Sequence, residues 1–106
     1  MGKRTQLDHP DVEELELTRV LHALSDATRL RIVQTLVSSP ERACGTFPVQ
    51  VAPSTLTHHF RVLREAGVIR QREEGNRRWT SLRAEDLEHR YPGLLDRILA
   101  AAAASS

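Results

Sequence analysis

A single cysteine, Cys44, stands among 106 residues. A lone thiol excludes an internal disulfide framework and a self-contained Cys-rich zinc site. Aromatic residues are equally scarce, with two Phe, one Trp and one Tyr, which leaves little for the base stacking that single-stranded RNA recognition needs. No apolar run approaches the ~20 residues of a membrane span. Polar residues, not an apolar stretch, follow Met1-Gly2-Lys3-Arg4, so no secretory signal, no membrane partner and a cytoplasmic location are expected. No Ser-His-Asp arrangement, glycine-rich phosphate loop or carboxylate pair stands out, and so small a domain has little room for a substrate cleft. An enzyme is therefore not expected, and no cofactor.

What is present fits one compact domain. Hydrophobic residues make up 40% and charged residues 27%, as in a soluble globular chain, although so short a chain leaves room for a second subunit to complete its core. The net charge of +1 conceals an uneven distribution. Residues 1–52 carry six Lys/Arg against seven Asp/Glu, and residues 84–106 carry two against four. Residues 53–83 carry seven Arg against three Glu. A basic middle between acidic flanks suits a polyanion-binding segment.

The order of elements is legible from periodicity. Residues 1–10 read as a disordered arm, residues 11–100 as the folded domain and residues 101–106 as a frayed tail. From Asp11, apolar residues at three- and four-residue spacings (Val12, Leu15, Val20, Leu24) predict a first helix, with Asp8 or Asp11 as its cap. Ser25 or Asp26 caps a second helix through Val37, ended by Ser38-Ser39-Pro40. Residues 41–53, broken by Gly45 and Pro48, allow only a short or distorted helix. Pro53 suits the first position of a helix running to Ala66, with Leu56, Phe60 and Leu63 inward and Gly67 as its stop. Residues 68–72 and 78–82 then read as strands around a turn at 73–77, a basic hairpin. A last helix from Ala84 is interrupted by Pro92-Gly93. The expected fold is mainly α with a small β-hairpin, in the order α-α-α-α-β-β-α: a winged helix-turn-helix.

That plan places a polar helix face where a DNA major groove can be read. Pro53 opens the helix, the hydroxyls of Ser54, Thr55 and Thr57 permit close approach, and His58 and Arg61 share one face. His59, partly packed or on a phosphate, and Arg64 are the further candidates on the same helix. In the wing, Arg72, Asn76, Arg77 and Arg78 are placed to meet neighbouring phosphates or a minor groove.

Two stretches carry a family resemblance. Leu21-His22-Ala23-Leu24-Ser25-Asp26-Ala27-Thr28-Arg29-Leu30-Arg31-Ile32 resembles the opening of the ArsR/SmtB family of bacterial repressors. Ser54-Thr55-Leu56-Thr57-His58-His59-Phe60-Arg61-Val62-Leu63-Arg64-Glu65-Ala66-Gly67-Val68-Ile69 resembles the same family's recognition helix. The similarity spans roughly residues 12–99. It implies a homodimer paired through its first and last helices, and a repressor that binds an imperfect palindrome in double-stranded DNA until a small-molecule inducer arrives. Ala52 departs from the Ser that usually caps this helix.

The sensing positions depart further. Family members that sense arsenic, cadmium or lead carry a Cys-x-Cys pair before the recognition helix, where this chain has only Cys44. Those that sense zinc, nickel or cobalt use an Asp-x-His pair, then a His and an acid, on the last helix, where this chain offers Asp86, Glu88, His89 and Asp96 at other spacings. Metal ligation is not expected, and adjacent His58 and His59 point about 100° apart, too far to share one ion. Cys44 as a redox sensor, an intersubunit site at Asp86 and His89, and a winged-helix protein-interaction module remain the alternatives. Trp79 is expected to anchor the wing to the core.

Overall fold

Asp26 accepts a hydrogen bond on its carboxylate from the Arg29 amide at 3.0 Å, so the cap foreseen for the second helix forms. The computed structural model describes residues 4–105, with side chains from residue 7 onward. Five α-helices span Leu17–Ala23 (α1), Ala27–Ser38 (α2), Pro53–Ala66 (α3), Ala84–Arg90 (α4) and Leu94–Ala104 (α5). Four strands, Arg4–Gln6 (β1), Glu41–Ala43 (β2), Ile69–Glu74 (β3) and Arg77–Leu82 (β4), form one antiparallel sheet in the order β1-β3-β4-β2. The mainly helical winged fold is the one expected from the sequence.

The core lies between the helices and the inner edge of the sheet. Ile32, Val33 and Leu36 of α2 meet Phe60 and Leu63 of α3, Val68 and Ile69 at the start of the wing, and Leu87 of α4. Phe47 packs edge-on against Phe60, with ring centroids 5.2 Å apart. Gly67 ends α3 at φ +85°, where the Val68 amide bonds the Leu63 carbonyl and the Gly67 amide bonds that of Arg64. These two bonds form a Schellman closure, which turns the chain directly into β3.

Several expectations are corrected by long-range contacts. The first helix does not run from Asp11: a 3-10 turn at Val12–Glu14 is followed by extended Leu15, and α1 starts at Leu17. Leu15 is buried, and its carbonyl accepts a hydrogen bond from the Tyr91 hydroxyl at 2.9 Å. That bond takes the carbonyl a continuous helix would use.

The segment expected as an arm is partly built into the sheet. Residues 4–6 pair with β3, the His9 ring accepts the Gln71 amide at 2.8 Å, and the Pro10 carbonyl accepts from Arg83 at 2.7 Å. Residues 1–3 of that arm lie outside the described residues. Residues 41–53 hold β2 and a 3-10 turn at Cys44–Thr46 in place of a longer helix. The wing is longer than expected, because Glu73, Glu74 and Arg77 join its strands and leave a two-residue turn, Gly75-Asn76. Gly75 sits at φ +65°, as two-residue hairpin turns require of a first residue. In the tail, α5 stays helical through Ala104, and Ser106 is outside the described residues.

Candidate nucleic-acid interface

The residues expected to face DNA divide into two groups on α3. Pro53, Ser54, Thr55, Thr57, His58 and Arg61 are exposed along one side. Leu56, His59, Phe60, Leu63 and Ala66 face the interior, with Leu56 only half-buried. Pro53 occupies the first helical position and Ala52 supplies no side-chain cap, so the first-turn amides of Ser54 and Thr55 keep no partner among the described residues. The Thr57 hydroxyl donates to the Pro53 carbonyl at 3.0 Å, which leaves its lone pairs free to accept. No hydrogen bond or ion pair engages Arg61 among the described residues.

His59 takes the packed alternative and so leaves the DNA-facing set. Its side chain is buried rather than turned to a phosphate, and Nδ1 accepts a hydrogen bond from Arg29 at 3.0 Å. Asp26 lies 3.9 Å from the same nitrogen. Burial pushes the His59 pKa down, against the upward pull of Asp26, with the Arg29 and His58 charges adding to the depression. The neutral ring is therefore the folded form. Asp26 is held below the usual carboxylate range: burial opposes ionisation, but the Arg29 amide bond, the charge that His59 gains once acid protonates it, and the Arg29 charge outweigh it.

The wing arginines are similarly sorted. Arg72 is spoken for: Nη1 and Nη2 bond both oxygens of Glu41 at 2.5 and 3.0 Å, and Nε reaches Glu74. Arg78 pairs with Glu73 at 2.5 Å. Arg77, exposed beside Asn76 at the wing tip, has no carboxylate partner among the described residues and rests 6.0 Å from the Trp79 ring centroid. Arg72 lies over the same ring at 5.9 Å, so half-buried Trp79 packs with two arginines of the hairpin. It is not part of the hydrophobic core cluster to which it was expected to anchor the wing.

Arg64 belongs to a buried polar network that the sequence reading did not assemble. It donates to Gln71 Oε1 at 2.7 Å, and Gln71 Nε2 donates to Thr80 Oγ1 at 3.0 Å and to Cys44 Sγ at 3.3 Å. Gln71 and Thr80 are 0% exposed and directly opposed across β3 and β4. The alternation of a strand carried this signal, since Ile69 and Gln71 must share a face. Cys44 sits within this network. Burial raises its thiol pKa, only partly countered by the Thr80 and Gln71 hydrogen bonds and the Arg78 and Arg64 charges, so it is held protonated.

Asp86 accepts hydrogen bonds from Arg83 at 2.9 Å and Arg70 at 3.4 Å, and His89 is exposed on α4. No group of three or more His, Cys, Asp or Glu that could hold a metal ion is found among the described residues. None of their helices is long and apolar enough to cross a membrane.

Comparison with known proteins bears on this arrangement. A family model described as a helix-turn-helix domain matches residues 24–72, from the end of α1 into the wing. Over 81 residues the chain is 36% identical to the uncharacterized HTH-type transcriptional regulator YceK of Bacillus subtilis (strain 168), covering 74% of this chain and 81% of that protein. It is 34% identical over 68 residues to the arsenical resistance operon repressor of Staphylococcus aureus, covering 63% of this chain and 65% of the repressor. With a polar-faced α3 set between a capped α2 and a basic hairpin, the chain belongs to the ArsR/SmtB family of winged helix-turn-helix transcriptional regulators.

Proposed function

We propose that the chain is a homodimeric repressor that lays α3 in the major groove of an imperfect palindrome and is released by an inducer. The observation that carries this reading is the partition of α3: Ser54, Thr55, Thr57, His58 and Arg61 face outward while its other side is fixed in the core. Short hydroxyls at the helix start, beside unspent amides, suit phosphate oxygens. His58 and Arg61, one turn further on, suit base edges. Arg77 at the wing tip is the available cation for a flanking phosphate; Arg72 and Arg78 need to leave Glu41 and Glu73 first.

A second copy is supported by α1, where Leu17 and Leu21 are 44% and 42% exposed. Apolar Ile98 and Leu99 of α5 are likewise only half-buried. Two copies related by a two-fold axis read half-sites about one helical turn apart. Selecting bound duplexes from a random pool tests the whole reading. The expected result is a consensus of two inverted half-sites, with the protein running as a dimer. Recovery of unenriched sequence would contradict it.

A further inference from the structure

Beside the recognition helix lies a half-open cleft of about 250 Å³, bordered by α3, the Cys44–Thr46 turn and the wing. Leu56 and Phe60 form its apolar wall. Three arginines, Arg61, Arg64 and Arg78, line it, with no Asp or Glu among the lining residues. Arg78 is paired with Glu73, and Arg61 and Arg64 are the lining cations that no carboxylate engages among the described residues. Cys44 adds no negative charge to this lining, because burial holds its thiol protonated. Within it, the half-buried Arg64 guanidinium is bonded, among the described residues, only to a neutral amide, that of Gln71.

We propose that this cleft binds a small organic monocarboxylate, its apolar body against Leu56 and Phe60 and its carboxylate on Arg61 and Arg64. Guanidinium groups match a carboxylate through paired N–H donors. The volume falls below the roughly 300–1,000 Å³ of pockets that take drug-sized ligands, so the occupant is a single ring or a short branched chain. Occupation recruits Arg61, the outward cation of α3, and competes with Gln71 for Arg64. Carboxylate and DNA therefore exclude one another, which gives the regulator an inducer site away from any metal position. The binding site stands on its own geometry; only its effect on DNA rests on the function proposed above.

The test follows the Gln71 side-chain amide and Arg64 Nε signals of isotopically labelled full-length protein by NMR. Sodium benzoate, 3-methylbutanoate, benzamide and chloride are titrated at constant ionic strength. Both carboxylates are expected to shift these signals saturably, with benzamide and chloride leaving them in place. Gly45 offers an independent control, since a Cβ there meets nothing within 4 Å. Gly45→Leu fills the mouth and is expected to abolish the benzoate shifts. Should that variant not fold, Arg61→Gln is expected to weaken benzoate severalfold.

On a duplex recovered from the random pool, benzoate at ten times its Kd is expected to lower DNA affinity about tenfold. Absence of a shift with either carboxylate, equal shifts with benzamide, unchanged binding in the folded Gly45→Leu protein, or competition no stronger than chloride's would each overturn the proposal. If the protein binds no duplex, the DNA reading fails, while the Gln71 titration still decides the ligand site.

Discussion

Arg29 of α2 donates to His59 of α3 at 3.0 Å, and this buried contact joins the two helices of the recognition unit. The same guanidinium donates through Nε to the Ala23 carbonyl at 2.7 Å and through Nη2 to the His22 carbonyl at 3.3 Å. Both carbonyls are at the end of α1, where helical partners run out, and that of His22 also accepts from the Ser25 amide and hydroxyl. One side chain thereby fixes three helices. The Asp26-Ala27-Thr28-Arg29 stretch that carries the family resemblance has a mechanical meaning: Asp26 caps α2 so that Arg29 can reach His59.

Arg29→Met keeps the apolar bulk and deletes the donors. It leaves the Ala23 carbonyl and the His59 nitrogen unpaired in the interior, while the His22 carbonyl keeps the Ser25 amide and hydroxyl, and is expected to cost on the order of 2–4 kcal/mol. Urea melts of the variant and the parent measure this. A loss below about 0.5 kcal/mol would show that water substitutes freely for the guanidinium.

The same contact sets a pH dependence. Nδ1 of His59 accepts from a cation, so protonating the ring breaks the bond and places like charges together. Burial depresses the folded pKa of His59 below the unfolded value of 6.5. The pKa of His9 is also lowered, first by burial and then by the Arg70, Arg83 and Arg64 charges, with its Leu7 backbone bond opposing. The unfolded chain thus binds more protons, and stability rises with pH. The stabilisation is complete above about pH 6.5 and is lost as pH falls through the folded pKa values. Asp26 titrates lower and is not involved between pH 7.5 and pH 5. Urea midpoints should fall across that interval, and by less in His59→Gln. A flat profile would count against the neutral buried ring.

Gly67 is required twice over. Its φ of +85° is unfavourable for residues with a side chain, and a Cβ there would collide with Leu15 Cδ2. Gly67→Ala is expected to destabilise by on the order of 2–4 kcal/mol, combining left-handed strain with overpacking. Thermal unfolding of the variant checks this. An unchanged midpoint would mean that Leu15 moves aside without cost.

Cys44 is expected to behave as a packing residue. Because the thiolate is the reactive form, iodoacetamide should modify the folded protein roughly tenfold or more slowly than the urea-unfolded chain. Peroxide should leave DNA affinity unchanged. Equal alkylation rates in the two states would reopen the redox reading.

The elements that sequence placed well are those specified locally. Asp26 as cap, Pro53 as start and Gly67 as stop each act through their own backbone neighbours. Those missed depend on distant partners. The edge strands β1 and β2 are three residues each and exist because β3 and β4 offer free edges; nothing in Glu41-Arg42-Ala43 marks a strand. The break at Leu15 depends on Tyr91, 76 positions away. His59 was legible after all, because positions 56, 59, 60 and 63 make one helical face. Polarity pointed outward where spacing pointed inward, and spacing prevailed because Arg29 supplied a buried partner. In the wing, arginine content alone could not separate Arg77 from Arg72 and Arg78, whose carboxylate partners are fixed by strand register.

The outward face of α3 as the base-reading surface is tested most directly by a ratio of affinities. Binding of the parent, Arg77→Ala and His58→Ala is measured on a selected duplex and on a random one across a salt series. Arg77→Ala should weaken both duplexes alike and reduce the magnitude of the log–log salt slope by about one for each phosphate the variant no longer neutralises. His58→Ala should instead reduce the selected-to-random ratio, by a factor matching about 1–3 kcal/mol. Equal losses on both duplexes for His58→Ala would contradict the assignment.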